Sequence, residues 1–153
     1  MNNKLGGEAF AGRCPIHYAA YYGAHNVLLA LISRGSDVDP LDEKGRTPLS
    51  LAIEQNKLTC VRSLIELGAD IELTDSYGRT PLMFACQLGS RDMVELLLQY
   101  KADVHAVNKM KESCMTFAQK SRNQEVIMLL VSKGLSLRPA SGVRVRPPSG
   151  IRR

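Results

Sequence analysis

Between residues 45 and 77 the apolar positions arrive in two bursts. Leu49, Ala52 and Ile53 share one helical face, and after a short polar break Val61, Leu64 and Ile65 recur at i, i+3 and i+4. The pattern returns 33 residues later as Leu82, Ala85 and Cys86, then Val94, Leu97 and Leu98. Each burst predicts a short helix, so the unit is a helix pair. Its punctuation agrees. Thr47-Pro48 and Thr80-Pro81 put a capping hydroxyl before a proline at the first helical position, where the missing N–H costs nothing. Gly23, Asn56 and Gly89 hold one register between the two helices, and all three tolerate positive φ. Gly35 and Gly68 stop the second helix, and Lys101 stands where the third unit would have that glycine. The linking stretch, such as DIELTDSYG, alternates and turns as a hairpin would.

The string GRTPL occurs at 45–49 and 78–82, and sliding the chain by this period exposes four registers starting at Gly12, Gly45, Gly78 and Lys111. Self-similarity at this length means stacked units, each too small to bury its own apolar face. The chain divides into a lead-in (1–11), four units (12–137) and a tail (138–153). The fourth unit departs most. Lys111 and Arg122 replace glycine or asparagine, and Cys114 replaces the proline. If those backbones are left-handed, each substitution costs about 1–2 kcal/mol. Gln119, Lys120, Ser121, Arg122 and Asn123 make this unit polar, as a terminal cap must be, and it is expected to fray first. In the first unit, too few residues precede Gly12 to form another helix pair. Its outward apolar face needs a cover from those residues, a partner or a longer chain.

The TPL-x-x-A core, the G-A-D-(V/I) stretch and the period, over about residues 8–138, resemble the ankyrin repeat. The resemblance implies an all-α solenoid of stacked repeats with short β-hairpin fingers. It also implies binding of other proteins through the finger tips and the exposed side of the first helices. Carried onto this chain, those positions are Arg13, Tyr21 and Tyr22; Glu43, Lys44, Arg46, Glu54 and Gln55; Ser76, Tyr77, Arg79, Gln87 and Leu88; and Lys109, Met110, Glu112 and Lys120. Tyr and Arg anchor interfaces by combining large area with a polar handle, which favours Tyr21, Tyr22 and Tyr77 with Arg46 and Arg79 as the central patch. The family's histidine, which links neighbouring repeats, survives as His17, with Ser50, Met83 and Thr116 in its other places. It reads as a structural imidazole.

Charge changes the picture in one place. The net charge is +5, and the tail RPASGVRVRPPSGIRR carries all of it as Arg138, Arg144, Arg146, Arg152 and Arg153. Its prolines and glycines and its lack of an apolar face predict disorder. Arg138 lies three before Ser141 and Arg146 three before Ser149, the R-x-x-S spacing that basic-directed kinases favour. Phosphorylation of both serines would remove about 3–4 units of tail charge. Cys14, Cys60, Cys86 and Cys114 lack CxxC spacing or histidines at metal-ligand intervals, so reduced thiols are expected and no metal or cofactor. No apolar run approaches the roughly 20 residues of a membrane span, and the N-terminus is a poor signal peptide. A cytoplasmic or nuclear location follows.

Three function classes compete. A binding module, acting by occupancy on a protein partner as a monomer, accounts for every motif, with dimerisation through the uncapped first unit as the competing state. An enzyme is the second class, and no P-loop, GxGxxG, HExxH or GxSxG supports it. No small-molecule substrate is therefore expected, and acids such as Asp37, Asp39, Asp42 and Glu43 read as turn and rim residues. The third class is binding of nucleic acid or an anionic surface through the tail, with affinity falling steeply with salt. The tail has no aromatic residue on which a base could stack.

Overall fold

The computed structural model describes residues 12–135 and 137. Among these residues eight helices follow one another in four antiparallel pairs: α1 (Pro15–Tyr22) with α2 (His25–Ser33), α3 (Pro48–Glu54) with α4 (Leu58–Glu66), α5 (Pro81–Leu88) with α6 (Arg91–Gln99), and α7 (Cys114–Ser121) with α8 (Gln124–Ser132). First helices pack on first helices, α1 on α3 on α5 on α7, and second helices form a parallel outer row. The result is a two-layer solenoid whose core runs the length of the stack. Leu49, Ile53, Leu64, Leu82, Leu97, Met115 and Leu130 are among its fully buried side chains.

The local signals act as their chemistry dictates. Thr47 and Thr80 accept hydrogen bonds from the backbone N–H groups of Ser50 and Met83, closing α3 and α5 at their N-termini. Gly23, Asn56 and Gly89 all have positive φ between paired helices, and so does Arg122 in the fourth unit at 56°. Lys101 and Lys111 are left-handed as well, each at 64°. Arg122 and Lys111 therefore carry the expected backbone cost of about 1–2 kcal/mol each. The position of Lys111 explains why a side chain fits there. A Cβ on Gly45 would lie 3.0 Å from the Ser76 backbone nitrogen of the next finger, and one on Gly78 would lie 3.1 Å from that of Lys109. No further finger follows Lys111 among the described residues, so its side chain meets no such neighbour.

Two expectations change. The fingers carry no β-ladder: among the described residues there is no strand, only an isolated antiparallel bridge between Val107 and Ser113. Each finger is a tight turn instead. In the first, Asp42 N–H donates to the Arg46 carbonyl (3.0 Å) and Gly45 N–H to the Asp42 carbonyl (2.9 Å), and the turns at 75–79 and 108–112 repeat this. With so few residues per arm, no ladder can extend. The second change is Asp42, which is not a rim acid but is buried at the base of its turn.

Among the described residues nothing covers the outward side of the first unit. Val27 is 53% exposed, whereas its register partners Cys60, Met93 and Val126 are fully buried against a preceding unit. The lead-in (1–11) and the tail (138–153) lie outside the described residues.

Candidate functional site

Each finger base is built around one buried side chain, a carboxylate in the first two (Asp42, Asp75) and an amide (Asn108) in the third. Asp42 Oδ1 accepts from the backbone N–H of Lys44 (2.9 Å) and of Arg46 (2.8 Å). Its Oδ2 accepts from Arg46 Nε (3.0 Å), with the Arg46 terminal nitrogen also at 3.0 Å and Arg13 Nε at 3.5 Å. Burial alone would raise the Asp42 pKa. The Arg46 N–H and guanidinium outweigh it and hold the carboxyl below its ordinary value. Asp75 repeats the design on Tyr77, Arg79 and the Arg79 guanidinium. In the fourth unit Asn108 takes the place, accepting from Met110 and Glu112 N–H while its amide donates to Glu112 (2.9 Å).

These bases join the tips to the first helices. Arg46 reaches Glu54 on α3 at 3.4 Å. Burial raises the Glu54 pKa, with Arg46 opposing. Arg79 stacks at 4.4 Å on Phe84 of α5 and at 5.5 Å on the tip residue Tyr77. In the fourth unit the charges are exchanged: Glu112 stands in the arginine register and pairs with Lys120 of α7. Comparing positions 33 apart in the sequence would have revealed this exchange, as it would the Asp42, Asp75, Asn108 series.

The proposed contact residues thus fall on the finger tips and on the adjoining ends of the first helices. Tyr22 and Tyr77 are exposed, as are Lys44, Gln55, Gln87, Leu88, Met110 and Lys120. Glu43, Ser76 and Lys109 are exposed at the tips, and Glu112 is half-buried below them. Tyr21 is half-buried, with its ring 5.0 Å from that of Tyr22 and the Arg13 guanidinium 5.3 Å above it. Arg13, Arg46 and Arg79 are themselves half-buried; Arg46 and Arg79 spend much of their hydrogen-bonding capacity on Asp42 and Asp75, and Arg13 adds an ion pair to Asp42. Arg138, Arg144, Arg146, Arg152, Arg153, Ser141 and Ser149 lie outside the described residues.

His17 is buried between the first two units. Its Nδ1 accepts from Cys14 N–H (2.9 Å), so the proton sits on Nε2, which donates to the Arg46 carbonyl (3.1 Å). Burial lowers its pKa, with the Arg46 carbonyl opposing. A base depressed in the fold contributes stability above its unfolded value of 6.5 and loses it as pH falls through the folded value. Urea midpoints are therefore expected to drop between about pH 7.5 and pH 5.5, and His17→Gln should flatten that slope. An unchanged slope in the variant would remove His17 from the account.

Cys114 Sγ donates to the Val104 carbonyl (3.2 Å); the neighbouring Cys114 thiol first, then burial, pushes Cys86 upward, while Cys86 lowers Cys114. Among the described residues no group of three or more His, Cys, Asp or Glu side chains is placed to hold a metal, and no helix is long and apolar enough to cross a membrane.

A family model, described as ankyrin repeats (3 copies), matches residues 2–75 and 68–141. The chain belongs to the ankyrin-repeat family. It is 46% identical over 39 residues to the putative ankyrin repeat protein RC0502 of Rickettsia conorii (strain ATCC VR-613 / Malish 7), covering 24% of this chain and 56% of that protein. It is 39% identical over 46 residues to protein glp-1 of Caenorhabditis elegans, covering 30% of this chain and 4% of that one. The chain thus spans well under two thirds of either relative's length. Ankyrin repeats are, as a family, non-enzymatic modules for protein–protein interaction.

Proposed function

We propose that this ankyrin-repeat chain is a non-enzymatic adaptor, scaffold or inhibitor that binds a protein partner along its finger tips and the adjoining first-helix surface. The observation that carries this reading is Tyr77. The residue is 58% exposed, yet its ring is held against Arg79, so a large anchor is ordered before any partner arrives. Tyr22, 70% exposed and packed edge-on to Tyr21, offers a second such anchor. Action is by occupancy, as a monomer, through shape and charge complementarity. The four free cysteines suit a reducing cytoplasm or nucleus.

The competing reading rests on the tail, which holds the whole excess charge. A lysate pull-down separates them, comparing the full chain with a full-length variant in which Arg138, Arg144, Arg146, Arg152 and Arg153 are serine, at low and high salt. The docking reading expects the same proteins from both through high salt. Nucleic acid or partners captured only by the arginine-bearing chain, and washed off by salt, would assign binding to the tail. Phosphorylation of Ser141 and Ser149 would then be its regulator, and mass spectrometry finding both bare in cells would remove that role.

A further inference from the structure

We propose that the segment docking on the finger ridge is acidic and carries an aromatic or aliphatic anchor. This rests on the ridge being the docking surface. The tips are joined by backbone bonds rather than standing apart: Ser76 N–H donates to the Lys44 carbonyl (3.0 Å), and Lys109 N–H donates to the Tyr77 carbonyl (3.1 Å). Lys44, Tyr77, Lys109, Met110 and Lys111 therefore follow one another along a fixed edge.

The apolar part of that edge is Tyr77 and Met110, the latter 73% exposed. Tyr77 is held by Arg79, which is fixed in turn by Asp75 at 2.8 Å and by the Phe84 ring at 4.4 Å. Such an anchor loses little freedom when a second ring or aliphatic chain packs on it.

The charge on either side has one sign. Lys44, Lys109 and Lys111 are exposed, and none forms an ion pair with a described residue. The carboxylates that could neutralise them are committed elsewhere: Asp42 to Arg13 and Arg46, Asp75 to Arg79, Glu112 to Lys120. Glu43 is the tip carboxylate left among the described residues, against three ammonium groups. A partner whose Asp or Glu side chains flank an apolar residue would satisfy both features together, while a basic one would meet three unscreened like charges.

The test is a random twelve-residue peptide display library panned on the full-length protein. The expected result is enrichment of peptides with several Asp or Glu around one large apolar residue. Their affinity should fall at least about tenfold on the full-length Lys44→Glu, Lys109→Glu, Lys111→Asn variant, and about 30-fold on Tyr77→Ser. Circular dichroism checks that each variant keeps its helices, and Asn at 111 retains the left-handed turn. Neutral or basic peptides that still depend on Tyr77 would overturn the acidic inference and leave the docking surface standing. Peptides that bind both variants like the parent would overturn both. Acidic peptides lost only when the five tail arginines become serine would move acid recognition to the tail and overturn the proposal, as would a library yielding no acid-rich binder.

Discussion

Asp42→Ala is expected to cost about 3–5 kcal/mol of folding stability, the cost of stripping one partner from a buried, hydrogen-bonded ion pair. The Asp42 side chain is fully shielded from solvent and Arg46 keeps only 13% of its own exposed. Removal leaves the Lys44 and Arg46 N–H groups without an acceptor and the Arg46 and Arg13 guanidiniums without their shared counter-charge. That is a large share of a total stability of about 5–15 kcal/mol. Asp42→Asn is the informative control, because Asn108 already performs the turn-organising half of the task in the fourth unit. It should retain the two backbone bonds, lose the charge pairing and cost distinctly less, about 1–3 kcal/mol. Urea denaturation at neutral pH reads both values. If alanine cost no more than asparagine, the bonds from the two backbone N–H groups to Oδ1 would contribute nothing and the description of the finger base would be wrong.

The second large effect concerns how the stack holds together. Leu64, Leu97 and Leu130 share one register in α4, α6 and α8, and all are fully buried. Truncating each to alanine should cost about 2–5 kcal/mol, the loss of transferred carbon plus the cavity left behind. The consequences should differ with position. α4 packs against both α2 and α6, so Leu64→Ala weakens two inter-unit contacts and should lower the midpoint of the whole transition. Among the described residues α8 packs against α7 within its unit and on α6 of the neighbouring one. Leu130→Ala should therefore open the fourth unit first, where Lys111 and Arg122 already hold strained left-handed backbones. Amide exchange would show this as faster exchange over 114–132 with 48–99 still protected. Equal acceleration in every unit would mean that the solenoid melts as one block.

The helix pairs were legible because their signals are local. A Thr-Pro start, an apolar face at i, i+3 and i+4, and a glycine or asparagine at the break are read off neighbouring residues, and the helices lie where those signals put them. Arg122 and Lys111 were legible by register alone, since a left-handed residue keeps its place in the repeat whatever side chain occupies it. The extent of the fingers was less legible, because alternation over a few residues is shared by strands and by tight turns. Asp42 was misread for a related reason. A carboxylate in a polar stretch looks solvated until the Arg46 guanidinium folds back onto it and Arg13 reaches it from the preceding unit. Arg46 and Arg79 stood out in sequence as contact residues. In the fold their guanidiniums first serve Asp42 and Asp75, and Arg79 presents Tyr77 rather than its own charge.

The central claim is that the finger ridge and first-helix ends form the working surface of this chain. The most direct measurement is hydrogen exchange of the full-length protein, free and bound to a captured partner. The account predicts new protection at the tips, 43–46, 76–79 and 109–112, and at the ends of α1, α3 and α5, with the second-helix row unchanged. Protection confined to residues 138–153, or falling on α2, α4, α6 and α8, would contradict it.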